Sequence, residues 1–475
     1  MHHGTAGTVG AMRGSQIDFL RALKLGGRAL PPPWDAGRPE LGVGPGVMVL
    51  HAAPYGLVVH MSDPQFEMDE SRLKMVVHDF SGHPGQIRLS RELARLGHTV
   101  QHQFCESFTT GQGATAWVDG DPESFSVKGI SLGAEFDRYS PLRRLFQEFR
   151  YGWLAIRAAA SYRPDIAIYS NMPLVPLVMV SVALKARRIP FVLWWQDIYS
   201  DAIGTHARAR LGRLGGVVAW LVDRAECGCA RRAAAIVPIT DAFLDRLEDW
   251  GIGRDKATVI PNWGALDEVV PRPRSNPWSA AHGLDAESVV MYAGTLGLKH
   301  DPSVIAELLR CTPADCRVVV VSQGLGRQWL EETCCSNPRL LLLDYQPYEQ
   351  LSDMLASADV LVAILEEDAS RYSVPSKVLN YLCAGRPVLA IMPLENAVAQ
   401  MVASNEAGIV VSPGDNSHLA NAIDLLLTDQ LLRARMAENA RNYAQNVFGM
   451  NGIANSFEHV INRVVASGSV EPTNR

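Results

Sequence analysis

The sequence lacks the features of several broad protein classes. None of its 8 cysteines forms a C-x-x-C pair, which disfavours zinc sites and thioredoxin-like redox chemistry. Several cysteines lie in apolar or helical stretches, as buried thiols do in a reducing compartment, so we expect a cytoplasmic location. Basic residues do not outnumber acidic ones, and the net charge is −6, which disfavours general nucleic-acid binding.

Long hydrophobic runs are also missing. The longest apolar stretch, residues 172–184, contains two prolines and ends at Lys185. It is too short to span a bilayer, so we predict a core helix there. No charged region followed by an apolar run marks a secretory signal at the N-terminus. Residues 1–73 are instead rich in Gly, Pro and His, and we predict a weakly ordered extension.

Three short motifs of other chemistries are absent or misplaced. The G-x-G-x-x-G fingerprint of dinucleotide-binding folds does not follow the first strand-like segment. Asp119-Gly120-Asp121 resembles a metal-binding D-x-D motif, but it lies in a stretch rich in Gly and Ser, so we predict a turn. His98 and His102 are four residues apart on a strand-like segment rather than a helix. We therefore predict no metal site and no cofactor.

What the sequence does contain, from Lys74 onward, is an alternation of strand-like and helix-like segments. Residues 75–78 are predicted as a short buried strand, residues 86–96 have helical periodicity, and residue 99 begins another strand. The pattern predicts a parallel α/β sheet. Further strands are predicted at 165–169, 190–195, 234–238 and 258–260, with a helix near 172–186.

A proline-rich stretch, residues 271–277, separates this series from a second one. Two doubly wound halves joined by such a linker place a ligand in the cleft between them, at the carboxyl ends of the strands. Strands are predicted in the second half at 289–293, 318–321, 340–343, 360–364, 388–391 and 409–411, followed by helices over 419–465.

The most informative stretch is residues 373–388. Pro375 interrupts the preceding chain, Ser376 is predicted as the N-cap of a helix, and Lys377 places a positive charge beside the helix start. Gly385 ends the helix. A helix N-terminus next to a lysine is a site for a diphosphate. The alternative is an ordinary capped helix with a surface lysine.

A second loop of the same half has similar features. A predicted strand ends at Ala293 and is followed by Gly294, Thr295 and Gly297, and then by Lys299. Close backbone approach at the glycines, together with the lysine, suits a second contact with a diphosphate. The alternative for Lys299 is a solvated loop lysine.

Together these stretches resemble retaining glycosyltransferase family 4, which has the GT-B fold of two Rossmann-like domains facing across a cleft. The similarity is greatest to its exopolysaccharide and O-antigen branch, which includes a colanic-acid fucosyltransferase and an N-acetylfucosamine transferase. It covers roughly residues 74–465, and the branch-like segments are residues 194–202, 260–263, 344–348 and 374–377.

The resemblance implies domain roles. Residues 74–262 would form the acceptor domain, residues 263–430 the nucleotide-sugar domain, and residues 431–475 helices that cross back to the first domain. Most of the family has two glutamates eight positions apart at the helix start, where this sequence has Tyr372 and Asn380. Asn380 could still hydrogen-bond a ribose, without charge.

The resemblance also implies roles for individual residues. Lys299 and Lys377 would stabilise the leaving diphosphate, and Gln196-Asp197 stands where the family commonly has His-Asp near the reactive sugar. The resemblance implies a mechanism in which the leaving diphosphate itself takes the acceptor's proton, and a glutamine, which is no base, fits that mechanism. Asp197 could instead cap the following turn. The other donor-binding candidates are Gly294, Thr295, Ser373, Pro375, Ser376, Asn380, Tyr345 and Gln346, and those for the acceptor or phosphate loop are Gly82, Gly85 and Gln86.

The expected function is retaining transfer of a sugar from a nucleotide diphosphate to a saccharide acceptor, lipid-linked, in cell-surface polysaccharide or lipopolysaccharide synthesis. Residues 142–154 and 206–221 combine arginines with apolar and aromatic residues, which suits a helix lying on the cytoplasmic face of an anionic membrane. Packing of both helices on the sheet is the alternative. A same-fold epimerase, an inverting transferase and a catalytically inactive partner subunit are the alternative functions.

Overall fold

A computed structural model describes residues 72–108, 115–137, 140–297, 300–367 and 372–469. Residues 1–71, with most of the predicted N-terminal extension, and Lys299 lie outside the described residues. Two six-stranded parallel sheets with helices around them make up the structure. The prediction of two Rossmann-like halves is therefore confirmed.

The first sheet is formed by the amino-terminal half of the described chain. Its strands are β1 (Lys74–Asp79), β2 (Thr99–Cys105), β3 (Phe125–Ile130), β4 (Ile166–Ser170), β5 (Phe191–Trp195) and β6 (Ala235–Pro238). The helices of this half are α1 (Pro84–Arg95), α2 (Pro141–Tyr162), α3 (Leu174–Ala186), α4 (Tyr199–Arg232) and α5 (Ala242–Asp249).

The second sheet follows the proline-rich stretch. Its strands are β7 (Ser288–Ala293), β8 (Cys316–Val321), β9 (Leu340–Leu343), β10 (Val360–Ile364), β11 (Val388–Ile391) and β12 (Gly408–Val411). The helices are α6 (Pro277–Ala281), α7 (Ser303–Cys311), α8 (Leu325–Cys334), α9 (Leu351–Ala356), α10 (Ser376–Cys383), α11 (Ala397–Ser404), α12 (Asn416–Thr428), α13 (Gln430–Val447) and α14 (Met450–Val464).

Both sheets have the same strand order. The first runs β3-β2-β1-β4-β5-β6, and the second, read in the same direction, runs β9-β8-β7-β10-β11-β12. In each half the direction in which successive strands join the sheet reverses once. The reversal lies between β1 and β4 in the first sheet and between β7 and β10 in the second. Ligands of open α/β sheets bind outside the carboxyl ends of the strands at this reversal. A ligand is therefore expected at the loops that follow these four strands.

The last helix of the described chain returns to the first half. α14 packs on α1, and the ring of Phe457 lies edge-on to the ring of Trp194 in β5, with 4.8 Å between centroids. Phe457 is fully buried. The two halves are thus joined by α14 as well as by the segment that follows β6.

Two predictions about strands were incomplete or wrong. Residues 258–260 run beside β6 through hydrogen bonds from Thr258 N to Ile236 O and from Ile260 N to Pro238 O, but they form no strand. Pro261 follows and has no N–H group to extend a ladder. Strand β3 was not predicted, because it is an edge strand in which Lys128 and Gly129 interrupt the apolar pattern.

Candidate active site

Helix α10 begins at the cleft end of the second half. Its N-cap is Pro375, and Ser376 is the exposed first residue of the helix, so the prediction that Ser376 caps the helix was wrong. Val378 N donates to Pro375 O, which closes the first turn through the backbone. No side chain caps this described helix. Its leading N–H groups are therefore suited to an anionic oxygen.

Two buried side chains fix this helix and its loop. The Tyr381 hydroxyl accepts from Ala293 N at 3.0 Å and donates to Ala293 O at 2.9 Å, which joins α10 to the end of β7. Asn396 Nδ2 donates to Ser373 O at 2.9 Å. Both residues were missed by the sequence analysis, because their partners are distant in sequence and no local pattern marks them.

Lys377 lies over the end of β7. Its ammonium is 3.9 Å from the centroid of the Tyr292 ring and donates to the Tyr292 hydroxyl, which itself donates to Thr295 O at 2.8 Å. Gly294 has a φ of 138°, and a Cβ there would lie 3.0 Å from Lys377 Cε. Gly294 is thus required both for the backbone conformation and for the path of the lysine.

The electrostatic position of Lys377 is unusual. Burial lowers the pKa of its amine to about 7, because burial disfavours the charged form. No carboxylate of the described residues forms an ion pair with it. A dianionic ligand at this point would restore the proton and supply the missing counter-charge. The structure therefore provides an uncompensated, partly buried amine beside an uncapped helix start.

Hydrogen bonds engage three further candidates for donor binding, namely Thr295, Tyr345 and Gln346. The Tyr345 hydroxyl hydrogen-bonds Thr295 Oγ1, and the Tyr345 side chain remains exposed at the end of β9. Both ends of the Gln346 amide are engaged, since its Oε1 accepts from Trp278 Nε1 at 3.2 Å and its Nε2 donates to Asp344 O at 2.9 Å. Of this pair, only Tyr345 offers an exposed surface to a nucleotide base.

Asn380 faces the segment that connects the two halves. Its Oδ1 accepts from Ala265 N at 3.1 Å. One residue earlier, a side chain on Gly264 would lie 2.6 Å from both Leu379 O and Cys383 Sγ. The connecting segment is thus packed directly on α10. A ribose contact by Asn380 stays a prediction, and its carbonyl oxygen already has this structural partner.

The pair Gln196-Asp197 follows β5. Gln196 and Asn262 form a reciprocal amide pair, with Gln196 Nε2 donating to Asn262 Oδ1 at 3.0 Å and Asn262 Nδ2 donating to Gln196 Oε1 at 2.7 Å. Asp197 is exposed in the loop before α4. The amide of Gln196 thus fixes the connecting segment to β5, a contact that the sequence did not reveal.

The loop after β1 is organised by a buried carboxylate. Asp79 accepts hydrogen bonds from His83 N, from Ser81 Oγ at 3.0 Å and from Asn171 Nδ2 at 2.7 Å. Burial raises the pKa of Asp79, and these hydrogen bonds oppose that rise. Asp79 therefore holds the loops after β1 and β4 together. No local sequence pattern marked Asp79 for this role, because its partner Asn171 is distant in sequence.

The three predicted residues of this loop lie at the start of α1. Gly82 has a φ of 68°, and Gln86 is buried in the first turn. Gly85 N donates to the Nδ1 atom of the N-cap residue His83 at 3.2 Å. A Cβ on Gly85 would lie 3.5 Å from Trp263 Nε1, so the connecting segment lies between α1 and α10.

The D-x-D-like segment and the two histidines, which were not predicted to bind metal, have structural roles. Asp119 and Gly120 form a turn, as predicted, and Asp121 pairs with Arg91 Nε at 2.7 Å. His98 Nδ1 accepts from Leu73 N at 3.3 Å, and His102 Nδ1 hydrogen-bonds Ser90 Oγ at 2.8 Å. Each of these groups stabilises the first half of the structure.

Comparison with known protein families agrees with this geometry. Residues 87–263 match the model of a glycosyl transferase 4-like domain, and residues 276–443 match the model of glycosyl transferases group 1. The chain belongs to the GT-B glycosyltransferases of the family 4 type. The first matched range contains β2 to β6 of the first sheet, and the second contains all six strands of the second sheet together with Gly294 and Lys377.

Individual relatives are more distant. Alpha-D-kanosaminyltransferase of Streptomyces kanamyceticus is 29% identical over 233 residues, which are 46% of this chain and 57% of that protein. The chain thus spans about half the length of the curated relatives that it matches.

Solved structures show the same fold. Sucrose-phosphate synthase from Thermosynechococcus elongatus superposes with a TM-score of 0.64 at 16% identity, over 83% of this chain and 100% of that one. The Anabaena protein Alr3699/HepE in complex with UDP-glucose gives 0.60 at 16% identity, over 82% and 100%.

Proposed function

We propose that this glycosyltransferase moves a sugar from a nucleotide diphosphate to a saccharide acceptor, with retention at the anomeric carbon. The observation that supports it best is Lys377, an amine without a carboxylate partner among the described residues, lying over Gly294 at the uncapped start of α10. The acceptor is expected to be lipid-linked, and the product to enter a cell-surface polysaccharide; the resemblance of the sequence supports both points.

In the proposed reaction the bond between the anomeric carbon and the diphosphate oxygen breaks, and a bond from the acceptor oxygen forms on the same face. The acceptor's proton passes to the departing diphosphate. Lys377 and the first N–H groups of α10 stabilise the charge that develops on this leaving group. Gln196 is no base and is engaged by Asn262. No metal or cofactor is part of the proposal.

The first test is thermal stabilisation of the purified protein by UDP, GDP, ADP and dTDP. One nucleotide should raise the melting temperature, and Lys377→Ala should abolish the shift. A charge-assisted contact is worth roughly 1.5–3 kcal/mol, so turnover of Lys377→Ala should fall by roughly ten- to a hundredfold. Lys185→Ala, a change at an exposed lysine on α3, is the matched control. Full turnover by Lys377→Ala would contradict the proposal.

The product distinguishes the alternatives. An inverting transferase would give the opposite anomer, and an epimerase would convert the nucleotide sugar without any acceptor. An inactive partner subunit would bind nucleotide and give no product. The argument for a catalytically inactive subunit is that Tyr372 and Asn380 stand where most of the family carries glutamates. NMR of the glycoside formed from the nucleotide sugar selected by the thermal series decides among these outcomes.

We also propose contact with an anionic membrane through helices α2 and α4, which both pack on α3. α2 exposes Leu142, Phe146 and Trp153, whose exposed fractions are 83%, 68% and 59%. α4 exposes Leu214 and Trp220 in the same way, with arginines nearby. Apolar and aromatic side chains beside arginines are typical of helices that lie on anionic lipid. Among the described helices, none is both long and apolar enough to cross a bilayer.

The membrane proposal predicts that apolar contacts matter more than single charges. Arg144 pairs with Glu148 at 2.8 Å, and Arg143 lies 3.8 Å from Asp137. The double change Phe146→Ser and Trp153→Ser should reduce co-sedimentation with anionic vesicles by at least about tenfold.

The control for this experiment is Leu431→Ser on α13. Leu431 is 85% exposed and belongs to the other half of the chain. Substituting Arg143, Arg144 and Arg150 with glutamine should weaken binding to anionic vesicles and leave binding to neutral vesicles unchanged. Equal vesicle binding by the Phe146/Trp153 double variant and the wild type would exclude α2 as the contact.

A further inference from the structure

A small cavity lies at the carboxyl ends of β4 and β5. It leaves about 10 Å³ for the centre of a water-sized group, which is room for one such group. Asp197 at its edge is exposed and Tyr199 is half-buried, so the cavity opens to solvent. The polar and aromatic side chains that line it include Tyr169, Asn171, Trp195, Gln196, Asp197 and Tyr199.

One hydroxyl group in this lining has no partner in the described part of the chain. The Tyr169 hydroxyl is buried and unpaired, and only 1% of the Tyr169 residue surface is exposed. The Tyr169 ring stacks on His78 at 5.1 Å between centroids and lies edge-on to Phe191 at 6.5 Å. Buried polar groups are rarely left unpaired, because the loss of their hydration costs free energy. A group that enters the cavity would supply the missing partner.

Asn171 adds an acceptor beside this hydroxyl. Its φ is 53°, in the left-handed region that residues other than glycine seldom adopt. Non-glycine residues in this region are concentrated at functional sites, where the surrounding structure holds them. Asn171 Nδ2 donates to Asp79 Oδ1 at 2.7 Å. The Asn171 side chain therefore has its carbonyl oxygen, rather than its NH₂ group, to offer a ligand.

The side-chain N–H donors near the cavity are engaged within the protein or lie on the other face of the sheet. Trp195 Nε1 donates to Glu226 at 3.0 Å, and both ends of the Gln196 amide are engaged. Side chains alternate between the two faces along a strand, so the Trp194 indole lies on the face opposite Trp195. The lining thus offers oxygen atoms to a ligand rather than N–H groups.

Negative charge surrounds the same cavity. Burial raises the pKa of Tyr199 well above its ordinary range, and four carboxylates raise it further, those of Asp197, Glu226, Asp79 and Glu148. Among the described residues, Asp79 and Glu226 accept hydrogen bonds only from uncharged donors. Burial raises the pKa of both carboxyl groups, and a cation beside them would lower it again. The surroundings therefore favour a positively charged ligand.

A protonated primary amine has the matching chemistry. It has three N–H donors and no acceptor, and a cation is attracted to aromatic rings such as those that line the cavity. We propose that this cavity binds the ammonium group of an amino sugar, so that the saccharide acceptor carries an unsubstituted amine. An N-acetyl group is too large for a space that holds one water-sized group. The inference rests on the proposed function, in which the ligand of this half is the acceptor.

Binding of simple sugars to the full-length protein tests the proposal, with and without the nucleoside diphosphate selected by the thermal series. The probes are methyl glucosides in which an amine replaces one hydroxyl at each ring position in turn, and methyl glucoside is the reference. In titrations followed by NMR, at least one amino sugar should bind roughly ten- to a hundredfold more tightly than methyl glucoside. Its N-acetylated form should have no such advantage.

Two substitutions locate the amine. Tyr169→Phe removes the unpaired hydroxyl and keeps the ring, so the melting temperature should not fall. Asp197→Asn removes a negative charge and keeps the side-chain shape. Each should reduce the preference for the amine to roughly a tenth or less. The control is Tyr162→Phe, which removes a hydroxyl that donates to Thr99 O at 3.2 Å, at the opposite end of the same sheet; its preference should equal that of the wild type.

Two results would overturn the inference. If no amino sugar binds more tightly than methyl glucoside, the cavity is not an amine site. If the preference is unchanged in both Tyr169→Phe and Asp197→Asn, the amine binds elsewhere. Either result, with nucleoside diphosphate binding intact, leaves the proposed function in place. An amine preference in a protein that binds no nucleoside diphosphate would instead contradict the proposed function and leave the amine site.

Discussion

At the scale of single residues, the charge of Lys377 decides how the site responds to pH. Burial lowers its pKa from an ordinary 10.5 to about 7 in the protein without ligand. A bound diphosphate would raise that pKa again, because an opposite charge favours the ammonium. Below pH 7 the amine is protonated with or without ligand. Above pH 7 the ligand-free protein loses the proton that the complex retains.

Affinity for the nucleoside diphosphate should therefore be constant below about pH 7 and fall as the pH rises further. Isothermal titration between about pH 6 and pH 9 measures this dependence directly. Lys377→Arg is the control, because a guanidinium stays charged throughout and should give no such fall above pH 7. The same decline in Lys377→Arg as in the wild type would show that another group titrates.

Lys377 and its neighbours show which residues of a site can be recognised from the sequence alone. Lys377 and Gly294 could be singled out because each follows a strand end in a local pattern of proline or glycine. Tyr292 and Tyr381, which orient the lysine and the helix, contact partners 85 and 88 residues away. Nothing in a local pattern reports such contacts. The capping role given to Ser376 was wrong, because Pro375 occupies the capping position.

At the scale of elements, α4 is two helical arms folded against each other. The chain reverses at Gly212, whose φ is 52°, and a side chain on Gly215 would lie 2.1 Å from Ala207 O. From the second arm, the buried Glu226 accepts from Trp195 Nε1 at 3.0 Å, Tyr199 N at 3.1 Å and Ser200 N at 2.7 Å. Glu226 thus spans the loop that contains Gln196 and Asp197.

Glu226→Gln should loosen that loop, because one side-chain oxygen is replaced by an NH₂ group that faces backbone donors. The expected loss of unfolding free energy is about 1–3 kcal/mol. Trp195 fluorescence should change, and amide exchange should quicken at residues 196–200. Glu248→Gln, at an exposed ion pair with Arg254, is the control. Unchanged exchange in Glu226→Gln would show that the loop is held by other contacts.

Most elements could be predicted from the sequence, and the exceptions share a cause. A buried central strand such as β10 is a continuous apolar run, which gives a strong signal. The edge strand β3 is buried only at its two end residues and contains Gly129. The reversal at Gly212 depends on close contact between small residues of the two arms, which only the folded structure brings together.

At the scale of the whole molecule, the described part of the chain shares a hydrophobic core. One continuous cluster of buried side chains includes Trp194 of the first sheet, Met291 of the second, Tyr381 of α10 and Phe457 of α14. A second cluster is confined to the other face of the second sheet. α14 and the connecting segment both contribute to the shared cluster. The two halves therefore bury part of their apolar surface in a common core.

Phe457→Ala should therefore lower the stability of both halves. Removal of a buried phenylalanine side chain costs about 3–5 kcal/mol, and the cavity would lie against Trp194. Hydrogen exchange in low urea, followed separately for β5 and β8, should show faster global opening in both strands. Phe457→Leu leaves a smaller cavity and should give a smaller change in the same direction. Faster opening confined to β5 would show instead that the halves unfold independently and that α14 stabilises only the first.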